Sequence, residues 1–105
     1  MAKRVPFSLV VSAAAREELD ALRAFEKRQI SDEIEAKLLV DPLAETRRIK
    51  RLGALKAGFV YDPPIRELKV GDYRVYYNVD EQAHTVYVHA IRYKPPHMTT
   101  EEVLR

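Results

Sequence analysis

The chain contains no cysteine and no tryptophan, only three glycines, and no apolar run longer than a few residues. Without cysteine there is no disulfide framework, thiol nucleophile or cysteine zinc site, and nothing signals an oxidising compartment. Three glycines do not furnish a glycine-rich phosphate loop, and there is no GxSxG elbow, which argues against a nucleotide-cofactor enzyme or an elbow-type hydrolase. The three histidines, His84, His89 and His97, fall on an expected turn, strand and proline-flanked tail, none at the spacing of a helical or hairpin zinc pair. No metal site and no cofactor is therefore expected. The short Phe7–Val11 stretch, preceded by Lys3, Arg4 and Pro6, is too small for a signal-peptide core or a membrane span, so the expected location is the cytoplasm.

What is there is a balanced, compact composition. The 105 residues (12.1 kDa) are 47% hydrophobic and 32% charged, which fits one globular domain spanning 1–105, not a disordered tail. The net charge of +2 conceals an asymmetry. Residues 1–46 hold seven Lys or Arg against nine Asp or Glu, and residues 47–105 hold eleven against seven. Within the basic half, Arg47, Arg48, Lys50, Arg51 and Lys56 form a ten-position run free of acids. Such a run is either a solvated loop or a phosphate-contacting patch.

Phe7, Leu9 and Val11 alternate with Ser8 and Val10 as a short strand, and Ser12 is a plausible N-cap for the alanines that follow. Leu19, Leu22 and Phe25 recur at helical spacing, and Ile30, Ile34 and Leu38 continue it after a slip in phase near residues 24–27. The slip predicts a helical hairpin turning around Arg23–Glu26, ended by Asp41-Pro42. Residues 43–64 read as a connector with one short strand. Strands are then expected at 65–70, 73–79 and 85–93, forming an antiparallel meander. Pro95-Pro96 stops the last strand, and Thr99 or Thr100 caps a frayed final turn.

Period-two geometry assigns Tyr73, Val75, Tyr77, Val79, Val86, Val88 and Ala90 to the core under the helices. It places Arg74, Tyr76, Asn78, Tyr87, His89, Ile91 and Tyr93 on the opposite face. A guanidinium, an imidazole and three phenols there suit either single-stranded nucleic acid, through phosphate neutralisation and base stacking, or an aromatic cluster buried against a protein partner.

Glu67-Leu68-Lys69-Val70-Gly71-Asp72-Tyr73-Arg74-Val75-Tyr76-Tyr77 resembles the signature stretch of the RelE/ParE superfamily, the toxin halves of type II toxin–antitoxin pairs. The element order and length fit as well. The resemblance implies an α+β, RelE-like fold: an N-terminal strand and a helical hairpin packed on one face of a small, curved, mainly antiparallel sheet. It also implies a cognate antitoxin. One activity of the superfamily is ribosome-dependent, metal-independent mRNA cleavage, in which a ribose 2′-OH attacks the adjacent phosphate and translation stops. This endoribonuclease activity requires a proton acceptor, a proton donor and cations for the phosphorane. The other is inhibition of DNA gyrase, which needs no such set. A third possibility is a catalytically impaired homologue that only binds its antitoxin.

Carried over by the resemblance, Arg74 matches the arginine expected to hold the scissile phosphate. Lys69 falls on one strand lysine of the pattern, but Glu67 stands where a second cation is expected. Its carboxylate is either a base or a charge that repels phosphate. Lys94 lies where the pattern places an arginine acting as general acid or phosphate clamp, and Arg92 is the alternative. The usual C-terminal tyrosine is missing, leaving Tyr93 or Tyr76 to replace it. Arg47, Arg48, Lys50, Arg51 and Lys56 resemble the loop that meets ribosomal RNA, and Tyr76 and His89 complete the expected RNA-binding face.

Overall fold

A computed structural model describes residues 5–105; Lys3 and Arg4 of the N-terminal segment lie outside the described residues. The chain runs β1 (Ser8–Val11), α1 (Ala13–Asp20), α2 (Ala24–Glu33), β2 (Ile49–Gly53), β3 (Ile65–Val70), β4 (Tyr73–Asp80), β5 (Thr85–Tyr93) and α3 (Thr100–Leu104). A widened π-type turn, Ile34–Leu38, extends α2 before Asp41-Pro42. The five strands form one mixed sheet in the order β1-β5-β4-β3-β2. All neighbours are antiparallel except β1 and β5, which run parallel. The fold is α+β and RelE-like.

Local chemistry explains the first half. Ser12 leaves β1 with extended backbone, and its Oγ accepts from the Ala15 N–H while donating to the His89 carbonyl, tying the start of α1 to β5. Such a cap satisfies a donor that a helix start otherwise leaves bare. His84, held at φ 51°, stacks on Phe7 with centroids 3.7 Å apart and donates from Nε2 to the Val5 carbonyl at 2.8 Å. This pins the chain leading into β1.

Ala15, Leu19, Ile30, Ile34 and Leu38 bury their stripes on Leu68, Val70, Val75, Tyr77, Val86, Val88 and Ile91 of the sheet. The hairpin turns earlier than the apolar spacing predicts. α1 stops at Asp20 and Arg23 caps α2, so Phe25 begins a new phase and stands 78% exposed, while Leu22 packs on the core.

The face assignment needs a larger correction. The β4–β5 register shifts between Tyr76 and Tyr77, because Tyr76 opposes Ala90 whereas Tyr77 opposes Val88. His89 is the extra residue of a β-bulge, and an inserted residue reverses the facing of everything beyond it. Ile91 therefore joins the helix-side core, and Ala90 joins the opposite face.

That opposite face is not an open platform. Ile65, Tyr76 and Ala90 form a second small core with Val103 and Leu104 of α3, flanked by Leu52, Leu55, Ala57, Phe59, Tyr61 and Met98. The final turn is accordingly firm, not frayed. Thr99 and Glu102 make a reciprocal capping box, Leu104 is fully buried, and the Gly58 N–H donates to the Leu104 carbonyl at 2.7 Å.

Candidate phosphate-binding recess

The β3–β4 hairpin turns through Gly71 and Asp72, with Gly71 in the left-handed region at φ 57°, a conformation that glycine adopts without a Cβ penalty. The turn places Lys69 directly opposite Arg74. Beyond β5 the Lys94 N–H donates to the Asp72 carbonyl at 2.9 Å, which brings Lys94 to the same end of the sheet. Lys69, Arg74 and Lys94 thus line one recess of about 330 Å³, with Gly71, Asp72, Pro95, Pro96 and Met98 as its remaining walls.

The three cations are held differently. Lys69 is exposed. Lys94 donates from Nζ to Thr100 Oγ1 at 3.2 Å. Arg74 is largely enclosed: its Nη1 donates to the carbonyls of Gly71 (3.0 Å) and Tyr73 (2.9 Å), and its Nε lies 3.7 Å from Glu67 Oε1. Glu67 is itself 3% exposed, and its Oε2 is buried without a hydrogen bond.

Tyr76 faces Glu67 across the β3–β4 ladder and is fully buried. Neither its Oη nor Glu67 Oε2 completes a hydrogen bond of ordinary geometry. Burial first, and then the nearby Glu67 charge, push the phenol well above the usual tyrosine range.

The other expected residues are placed elsewhere. Tyr93 pairs with Tyr73 on the helix side, edge-on at 5.8 Å, so it points away from Arg74 and Lys94. Arg92 opposes Arg74 in register, yet its donors are spent within the fold. Its Nε donates to Glu18 Oε2 at 3.0 Å, and its Nη1 donates to the carbonyls of Val103 and Arg105 at 2.6 and 2.9 Å. Arg92 is the anchor that holds α3 over the second core, with Phe59 beneath its guanidinium.

His89 stacks on Phe59 at 5.2 Å and bonds Asn78 Oδ1 through Nε2. It lines a separate 190 Å³ hollow with Tyr61, Asp62 and Tyr87. Burial lowers its basicity, partly opposed by Asp62.

The basic run follows the open sheet edge. Arg47, Arg48, Lys50 and Arg51 are exposed on and before β2, with Lys50 opposite Glu67 and Arg51 opposite Arg66. The Lys69 N–H donates to the Arg48 carbonyl at 2.6 Å, so the run begins beside the recess. Lys56, also exposed, lies apart in a groove with Gly58, Glu101 and Arg105. Among the described residues no group of three or more His, Asp or Glu is placed to hold a metal.

Sequence reasoning missed Glu18, which accepts from both the Ile91 N–H and Arg92 and so braces the residues just past the bulge from α1. Nothing in its local pattern marks it. The cover formed by α3 and the connector had a visible signal, since Leu52, Leu55, Phe59, Val103 and Leu104 needed a place to be buried.

A protein-family model described as the ParE toxin of the type II toxin–antitoxin system parDE matches residues 9–94. No curated protein matches the sequence significantly. Among solved structures, the RelBE2 toxin–antitoxin complex of Mycobacterium tuberculosis aligns at 24% identity, covering 88% of this chain and 95% of that chain, with a TM-score of 0.69. The archaeal RelE–RelB complex of Pyrococcus horikoshii OT3 aligns at 16% identity over 87% and 98%, TM-score 0.68. The isolated RelE toxin of E. coli aligns at 19% over 85% of each chain, TM-score 0.63. With the family model spanning the strand, hairpin and meander that build the recess, the chain belongs to the ParE toxin family, and is a RelE/ParE-type toxin of a type II toxin–antitoxin system.

Proposed function

We propose that this toxin acts on mRNA in the translating ribosome, with the Lys69–Arg74–Lys94 recess as the seat of the scissile phosphate. The observation that carries the reading is the convergence of three cations from β3, β4 and the segment after β5 on one recess. The 2′-oxygen bonds to phosphorus as the bond to the 5′-oxygen breaks; Arg74 supports the pentavalent phosphate, one of the Lys69 and Lys94 amines takes the 2′ proton, and the other gives a proton to the departing 5′-oxygen. Glu67 is too enclosed to reach a ribose hydroxyl and is better placed as the partner of Arg74. Arg47, Arg48 and Lys50 extend the positive edge toward ribosomal RNA. The antitoxin partner is a chain that folds onto the toxin as it binds, in keeping with the toxin–antitoxin complexes among the similar folds.

A second reading, a gyrase-directed toxin, is favoured by the burial of Glu67, by the packing of Tyr76 beneath α3 and by Tyr93 facing the helices, which leave the recess without a phenol and with Asp72 as its one carboxylate. Arg74→Ala separates the two. The ribosomal reading expects mRNA cleavage in a translation extract, followed by primer extension, to disappear while antitoxin co-purification persists. Wild-type toxin that leaves mRNA intact but stops gyrase supercoiling selects the second reading.

A further inference from the structure

The second sheet face carries a small lattice of charges centred on one acid. Lys50 on β2 and Tyr76 on β4 stand directly opposite Glu67, Lys69 follows two positions along β3, and Arg74 faces Lys69. Three cations thus share a face with a carboxylate that is 3% exposed and keeps one oxygen without a hydrogen bond, and of these Arg74 alone comes within 4 Å of it. A buried charge is costly unless a partner compensates it, and the nearest compensation is Arg74 Nε at 3.7 Å.

That distance is well beyond the 2.7–2.9 Å of a direct charge-assisted hydrogen bond. Arg74 is therefore restrained by the acid without being locked to it, while its Nη1 is committed to two turn carbonyls. An approaching phosphate meets a guanidinium whose charge is already partly answered.

We propose that Glu67 is an internal counter-anion that competes with the incoming phosphodiester for Arg74. It sets an affinity threshold: a phosphate seated deeply enough to meet Lys69 and Lys94 together with Arg74 displaces the acid, and one that touches Arg74 alone does not. This inference rests on reading the recess as a phosphodiester site. It gives Glu67 a positioning and selectivity role, since it acts on substrate through Arg74.

The test uses the full chain and 2′-O-methyl hexauridylate, which presents phosphates but has no free 2′-OH to react. Binding is read by fluorescence anisotropy for the wild type, Glu67→Gln, Arg74→Ala and the double variant, with circular dichroism checking the fold. Glu67→Gln should bind about tenfold more tightly, and the gain should vanish when Arg74→Ala is added. Unchanged or weaker binding by a folded Glu67→Gln, with Arg74→Ala still weakening the wild type, overturns the role of Glu67 and leaves the recess standing. If Arg74→Ala does not alter wild-type binding, the recess reading falls and this proposal with it.

Should Glu67→Gln fail to fold, the wild type still decides. Its Arg74 Nε–H resonance, assigned by its loss in Arg74→Lys, should move as the oligonucleotide saturates and displaces the acid. Saturation that leaves the resonance in place overturns the proposal.

Discussion

Tyr76 and Tyr77 are neighbours in sequence, fully buried, and on opposite faces of β4, yet only Tyr77 has a home for its hydroxyl, donating to the Pro42 carbonyl at 2.8 Å. A buried hydrogen bond contributes about 1 kcal/mol net, and the carbonyl left behind adds a penalty. Tyr77→Phe should therefore lower unfolding free energy by about 1–2 kcal/mol, whereas Tyr76→Phe should cost less than half as much. Denaturant unfolding of the two variants side by side checks this, and equal losses would contradict the assignment. His89 yields a second expectation at this scale. Because burial lowers its folded basicity below the usual value of 6.5, the unfolded chain takes up the proton first as pH falls. The stability contributed by neutral His89 is present above about pH 6.5 and is lost as pH drops toward the lower folded value. The denaturation midpoint should fall between pH 7 and pH 5 in the wild type and fall less in His89→Gln.

At the scale of elements, α3 is a cover with only five helical residues, too short to be stable by itself. It is held by Leu104 in the second core, by Arg92 on its terminal carbonyls and by the Gly58 N–H. A Cβ at Gly58 would lie 2.8 Å from the Arg105 carbonyl carbon, so Gly58→Ala must displace the end of the cover. Amide exchange across residues 99–105 should accelerate in Gly58→Ala while the helix-side core keeps its protection. Leu104→Ala should cost about 2–4 kcal/mol by opening a cavity against Tyr76. The elements themselves were largely legible in the sequence: β3, β4 and β5 fall within a residue of where alternation puts them. Alternation and capping are local, and local signals survive in a bare sequence. The bulge at His89 was not legible, because it exists only as a mismatch between two paired strands. Its consequences reached the site, since extending the pre-bulge parity to Tyr93 put that ring on the wrong face and hid the fact that Arg92 and Lys94 share the other. Lys69 and Arg74 were legible as neighbours because one hairpin joins them. The burial of Tyr76 was legible only in part: the apolar residues that cover it were visible, but they come from two segments far apart in the chain and nothing local assigns them to that face.

For the whole molecule, the charge asymmetry becomes spatial: the acidic half forms the helices on one face, and the exposed cations Arg47, Arg48, Lys50 and Arg51 follow the β2 edge beside the recess. Under the proposed function, single-stranded RNA drawn to that edge would release counterions, about 0.7 per neutralised phosphate. Replacing Arg47, Arg48 and Lys50 with Gln should flatten the slope of log affinity against log salt by about 2. An unchanged slope in a salt titration would place RNA elsewhere. No helix among the described residues is long and apolar enough to cross a membrane.

The parallel pairing of β1 with β5 also governs the order in which the chain can acquire its shape during synthesis. Ser8 meets Thr85, and Ser12 Oγ reaches a carbonyl 77 positions away. Closing so long a loop costs roughly 3 kcal/mol more than closing a tight hairpin, so β1 docks after the meander has formed. During vectorial synthesis the first strand waits for the last of the five, and the recess lacks Lys94 until the same moment. A nascent chain thus carries neither a finished sheet nor the assembled Lys69–Arg74–Lys94 recess until β5 and the residues just after it have been made.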